Sequence, residues 1–236
     1  MKSYSNTYIF VFSTIMVVVV AAILSFAAMT LQPFQKKNVE INKKQNILTS
    51  INIESTAKNA VQIYDQNILE SYVVDYNGEI KENVDAFEVD MKKEMDKPLE
   101  ERNLPVFISE IEGDGKQYIF PLYGKGLWGP VWGYISLDSS LSTVYGANFS
   151  HQGETPGLGA EIATEEFQNQ FIGKEIFNEN EEFVSVAVKK GGTADRGSKY
   201  EVDGISGGTI TSEGVDEMIN DGLKSYLPYF ENIKNQ

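Results

Sequence analysis

Two hydrophobic regimes divide the chain. From Ser3 to Gln35 no residue carries a charge, and Tyr8 to Leu31 is almost wholly apolar. A run with no polar face predicts a helix that meets an apolar medium on every side. About 24 residues at ~1.5 Å rise reach roughly 36 Å, enough to cross a ~30 Å hydrocarbon core with some tilt. A cleaved signal peptide is the competing reading, with Ser25 and Ala27 as small residues near a cleavage site, but its apolar core is usually only ~7–15 residues long. Residues 1–35 are therefore expected to be an uncleaved transmembrane anchor.

Beyond the anchor the apolar positions become periodic. Ile47, Leu48, Ile51, Ala57, Val61 and Tyr64 recur at mixed helical spacing, with Ser55 a candidate N-cap, and predict one or two helices. Tyr76-Asn77-Gly78 is a hairpin-type turn between short β-rich runs in Ser71–Ile80. The charged stretch Lys81–Arg102 predicts a solvated connector or helix. Tyr118–Tyr123 and Val131–Leu137 predict two strands around Gly124-Lys125-Gly126-Leu127-Trp128-Gly129-Pro130, and Val184–Lys190 predicts another, ended by Gly191-Gly192. Val215, Met218, Ile219 and Leu223 share one face of a helix over Ser212–Tyr226. Without regular βαβ spacing the expected class is α+β, an antiparallel sheet with flanking helices. The expected division is a membrane-proximal helical and small α/β lobe over 36–115 and a main domain over 116–236.

Composition narrows the chemistry. Acidic residues outnumber basic ones by 34 to 20, a net charge of -14, which argues against nucleic acid as a partner. With no cysteine, disulfides, iron–sulfur ligands and thiol nucleophiles are excluded. One histidine and no cysteine make a zinc site improbable. Lys36, Lys37, Lys43 and Lys44 follow the apolar run while Lys2 precedes it, so a bare positive-inside count puts the large domain in the cytoplasm. Long domains translocate largely regardless of such charges.

Asp203-Gly204-Ile205-Ser206-Gly207-Gly208-Thr209-Ile210-Thr211-Ser212 places glycines and hydroxyls just before the amphipathic helix. Unpaired N–H groups and the positive dipole end suit a phosphate there, and hydroxyls that merely cap the helix, with Ser212 as N-cap, suit the same pattern. Gly204-Ile205-Ser206-Gly207-Gly208 also fits a G-x-S-x-G nucleophile elbow, but that fold requires the histidine after the serine, and His151 precedes it. No Walker motif exists, since Gly173-Lys174 continues with Glu175, and no dinucleotide fingerprint opens a helix.

These residues resemble the FMN-binding subunits of the sodium-translocating NADH:quinone reductase and of the related Rnf electron-transport complex. Asp203, Ser206, Gly207 and Thr209 occupy the positions of the family pattern Asp-x-x-Ser/Thr-Gly-Ala-Thr, with Gly208 where alanine is usual. Gly126-Leu127-Trp128-Gly129 and His151-Gln152-Gly153-Glu154-Thr155-Pro156-Gly157-Leu158-Gly159 are similar to two further family loops, and Phe171-Ile172-Gly173-Lys174 to a third. Length and anchor favour the C subunit of the sodium pump over the Rnf G subunit.

The resemblance implies a covalent FMN, its phosphate esterified to Thr209, with Ser206, Gly207, Gly208, Ile210 and Thr211 as further cofactor-binding residues. It implies that Glu154, Thr155 and Leu158 approach the ring, that Leu127, Trp128 and Gly157 are cofactor-binding residues of the loops around the flavin, and that Lys174 is near the cofactor. It further implies a periplasmic domain on the inner membrane, modification by a periplasmic flavin transferase, and electron relay among the other membrane subunits of a complex that exports sodium. No residue is assigned a catalytic or metal-ligating role. The rival of another class is an anchored binding domain with no redox function.

Overall fold

A computed structural model describes residues 5–195 and 197–235. The chain divides between Lys43 and Lys44 into two compact units. The first holds most of helix α1 (Asn6–Ser50), whose apolar residues from Tyr8 to Leu31 are exposed. Among the described residues it is the one helix long and apolar enough to cross a membrane. It runs past the expected anchor boundary because 36–50 contains no glycine or proline to stop it. Pro33 lies inside it and removes one backbone donor.

In chain order the second unit contains α2 (Ala60–Asn67), β1 (Ile68–Val74), β2 (Ile80–Lys81), α3 (Met91–Met95), β3 (Leu104–Ile111), β4 (Gly115–Lys125), β5 (Pro130–Leu137) and β6 (Val144–His151). Then follow α4 (Glu165–Gln168), β7 (Ala187–Lys189), β8 (Glu201–Asp203), α5 (Thr209–Lys224) and α6 (Leu227–Lys234). Six strands form one antiparallel sheet in the order β2-β1-β3-β4-β5-β6, and β7 pairs with β8 in parallel. The class is α+β, as the sequence pattern predicts. The β1–β2 turn forms where Asn77-Gly78 signals it: the Asp75 carboxylate accepts from the Asn77 and Glu79 amides, both at 2.9 Å, and Gly78 has φ 76°. The boundary expected at 115/116 falls at the start of β4, which pairs with β3 in this sheet.

Strand alternation sends neighbouring residues to opposite faces. Val106, Ile108, Tyr118, Phe120 and Leu122 join the larger core with Val215, Met218, Ile219 and Leu223 of α5 and Tyr229 and Phe230 of α6. Phe107 and Ile119 face the other way, against Ile47, Leu48 and Ile51 at the end of α1. Each such fully buried side chain contributes about 1.5–3 kcal/mol. Phe120 anchors an aromatic cluster with Tyr226, Tyr229 and Phe230 at centroid separations of 4.8, 6.3 and 5.2 Å. Its hydroxyls are satisfied: Tyr226 donates to Pro105 O at 2.9 Å, and the Tyr72 and Tyr229 hydroxyls lie 2.7 Å apart. Burial pushes the Tyr226 hydroxyl well above the usual tyrosine range.

Three local expectations need correction. α5 begins at Thr209, not after Ser212, with Gly208 as N-cap; the Ser212 hydroxyl instead accepts from the Ile205 amide at 2.9 Å, bracing the turn before the helix. Asn59, rather than Ser55, precedes α2, and its side-chain oxygen accepts from the Thr56 amide. Strand β7 is shorter than Val184–Lys190, because Ser185 sits at φ 61°, outside extended geometry. The strands over 104–111 and 144–151 have no clear signal in the sequence pattern, since the first follows a charged stretch and the second mixes small and polar residues.

Candidate functional site

The register of the sheet gathers the candidate loops at one end. Lys125 pairs with Pro130 and Val131 with His151, so the β4–β5 turn carrying Leu127 and Trp128 lies beside the chain leaving β6 toward Glu154. The turn is closed by the Gly126 amide donating to Gly129 O at 2.8 Å. α5 packs along β4 and brings Thr209, Ile210 and Thr211 to the same end.

Glu154 ties these pieces together. The residue is 4% exposed. Oε1 accepts from the Trp128 amide at 2.8 Å, and Oε2 accepts from the Thr211 hydroxyl at 2.5 Å. The Glu154 amide donates to His151 Nδ1 at 3.2 Å. Gly126 and Gly159 make room for it: a Cβ on either would come within 2.6 Å of a carboxylate oxygen. Glu154 thus touches the loop and the helix through buried bonds, and is turned away from solvent rather than outward.

The start of α5 is open. No side chain caps it, and among the described residues the amides of Thr209, Ile210 and Thr211 have no hydrogen-bond partner. Gly207 holds φ 78°, and a Cβ there would meet Leu158 Cδ2 at 2.8 Å, so the Leu158 loop lies over the turn. The three neighbouring hydroxyls differ sharply. Thr211 and Ser212 are buried and already engaged, whereas Thr209 is exposed and none of the described residues bonds its hydroxyl. Ser206 is also exposed, one turn earlier.

Around this end stand exposed apolar side chains: Trp128 at 69%, Ile210 at 54%, Leu127 and Leu158. Solvated aliphatic and aromatic surface beside unpaired amide donors suits a ligand with an anionic group and a flat apolar body. A flavin mononucleotide has both, so the residues present fit it. Thr155 and Gly157 belong to the same loop; Thr155 O accepts from the Leu158 and Ala160 amides at 3.1 and 3.2 Å, and the Gly157 amide donates to Glu161 Oε1 at 2.8 Å. Gly208 approaches Gly159 N to 3.1 Å for an added Cβ, which joins this loop to the helix start.

Lys174 lines the same cavity as Ser206. Its ammonium donates to Ser198 O at 2.6 Å, on the wall of a cavity of about 620 Å³ that Ser206 and Asp203 also line. Asp203 is held by Gln170, which donates to Asp203 O at 3.2 Å and accepts from Asp203 N at 3.0 Å. Gln170, Gly126 and Gly159 have structural roles here that sequence reasoning does not assign. Only the glycine pair has a signal, through the repeated glycines flanking Trp128 and Leu158.

Residues 126–224 match the FMN-binding domain family. The chain is 33% identical over 230 residues to the C subunit of the Na(+)-translocating NADH-quinone reductase of Haemophilus ducreyi, covering 90% of this chain and 88% of that one. Its fold superimposes on the crystal structure of the corresponding Na(+)-translocating NADH-quinone reductase protein from Parabacteroides distasonis, also a C subunit, with TM-score 0.78 and 50% identity, covering 85% and 96% of the two chains. Shewanella oneidensis NqrC shares the fold, with TM-score 0.71 at 20% identity over 84% of this chain and all of that one.

Proposed function

The chain belongs to the family of Na(+)-translocating NADH-quinone reductase C subunits, and from that premise we propose that it carries FMN as a phosphoester of Thr209 and relays electrons between redox centres of neighbouring subunits. Its relatives are subunits of an oxidoreductase complex, and the matched domain is an FMN-binding one. The observation that carries the ester is the contrast among hydroxyls. Thr209 is exposed at an uncapped first turn, while Thr211 and Ser212 are buried and committed to Glu154 and Ile205.

Esterification replaces the Thr209 O–H bond by an O–P bond. A flavin transferase supplies the FMN phosphoryl from an activated flavin nucleotide, whose leaving group takes the proton, so the product is protein plus FMN less one water. The free amides at 209–211 would hold the phosphate oxygens, whose charge the helix dipole would favour. Trp128, Leu127, Leu158 and Ile210 would cover the apolar ring, and Glu154 holds the Trp128 loop against α5. When bound, FMN supplies one-electron chemistry; the protein supplies position, burial and hydrogen bonding.

Helix α1 anchors the chain in the bilayer, with the domain on the periplasmic side of the inner membrane where the transferase acts. Sodium export is a property of the assembled complex, since the one candidate span among the described residues offers no ion path by itself. Intact-mass measurement of the full chain coexpressed with the transferase tests the ester. The expected product is FMN less one water, lost in Thr209→Ala and kept in Ser206→Ala. A colourless, unmodified native protein would instead support an anchored binding domain.

A further inference from the structure

Glu154 has a feature that ring contact does not account for: its carboxylate is buried and has no lysine or arginine ion-pair partner among the described residues. A buried charge without a countercharge is expensive unless hydrogen bonds satisfy it. Here compensation comes from the Trp128 amide at 2.8 Å, the Thr211 hydroxyl at 2.5 Å and the first turn of α5, whose dipole favours a negative group. Two glycines leave the space that it fills.

We infer that Glu154 is a positioning residue whose charged carboxylate locks the Trp128 loop to the start of α5 and sets a fixed negative charge beside the flavin site. This rests on the flavin reading for its second half only. Locking follows from the two bonds, because Trp128 is on a four-residue turn whose indole is 69% exposed and has no other described tether to α5. The charge matters because reduction of a flavin adds negative charge, which a nearby carboxylate in a partly desolvated site opposes. Glu154 therefore lowers the potential of an attached flavin.

Two substitutions separate these effects. Glu154→Gln keeps the shape: its Oε1 accepts from Trp128, and its Nε2 donates to the Thr211 oxygen, so the lock survives and the charge is lost. Glu154→Ala removes both. The full chain in detergent is compared by hydrogen exchange of the peptide spanning 124–130, without flavin. The Trp128 amide should exchange at least ~10-fold faster in Glu154→Ala and near the native rate in Glu154→Gln, since a hydrogen bond to a charged group is worth more than a factor of ten. Thr211→Val supplies a second probe that leaves Glu154 in place, and it should loosen the loop less than Glu154→Ala does.

Spectroelectrochemistry of the flavin-loaded chain then reads the charge: Glu154→Gln should have a more positive midpoint potential than the native protein. Equal exchange in native and Glu154→Ala protein overturns the lock, and an unmoved potential in Glu154→Gln overturns the charge effect. Native protein without attached flavin overturns the flavin reading and the tuning with it, while the exchange comparison still decides the lock.

Discussion

Two glycines of α5 make the packing of this helix testable, because the same substitution meets different neighbours. A Cβ at Gly214 would overlap the carbonyl oxygen of Lys125 and lie 3.1 Å from its carbonyl carbon, whereas at Gly222 it would reach Leu122 Cδ2 at 2.5 Å. Alanine gains about 1 kcal/mol of helix propensity over glycine at either position. At Gly222 the obstacle is the end of a flexible side chain, which can rotate aside, so Gly222→Ala should leave stability near native. At Gly214 the obstacle is backbone at the end of β4, two residues from Leu127. Relief requires α5 to move off the strand, and overpacking of that kind typically costs about 1–3 kcal/mol. With helix packing against β4 lost as well, the net loss is about 2 kcal/mol, or a Tm lower by ~4–8 °C for a domain of this size. Thermal unfolding of the full chain in detergent, followed by circular dichroism, compares the two variants. Gly214→Ala unfolding at or above the Gly222→Ala temperature would refute the reasoning, because it would mean that α5 is not seated on the Lys125 carbonyl.

Other outcomes follow from the same contacts. Thr211→Val removes one of the two donors to the buried Glu154 carboxylate and should cost about 1.5–3 kcal/mol, read from denaturant midpoints. Tyr72→Phe deletes the hydroxyl contact with Tyr229 and should cost about 1 kcal/mol without changing the near-ultraviolet signature of the aromatic cluster. Burial pushes the Glu94 carboxyl up, but hydrogen bonds from Lys97 and Asn103 and the Lys97 charge outweigh it and hold the folded value below the ordinary one. Its stabilisation is thus present above the unfolded value of roughly 4.3 and is lost as pH falls through the lower folded value. Glu94→Gln should be less stable than native protein at pH 7, with the gap closing on acidification, as urea midpoints across that range would show.

The sequence by itself determined what depends on local composition. An uncharged apolar run specifies the first part of the long helix, because its length and composition suit a membrane span. Asn77-Gly78 specifies a turn, and the spacing of Val215, Met218, Ile219 and Leu223 specifies a buried helix face. The residues of the candidate site were also legible by type and by resemblance, from Trp128 through Glu154 to Thr209. Only the tertiary structure decided what those residues do to one another. Whether Thr209, Thr211 or Ser212 offers a free hydroxyl depends on where α5 begins and on what is packed behind it, and Ser212 is turned into the preceding loop while Thr211 meets a carboxylate 57 residues away in sequence. That Glu154 is buried and bonded to Trp128 and Thr211, and that Lys174 donates to the Ser198 carbonyl, likewise follows from contacts between distant segments. Such contacts have no signature in either segment alone, because the sheet register that creates them is set by the core as a whole.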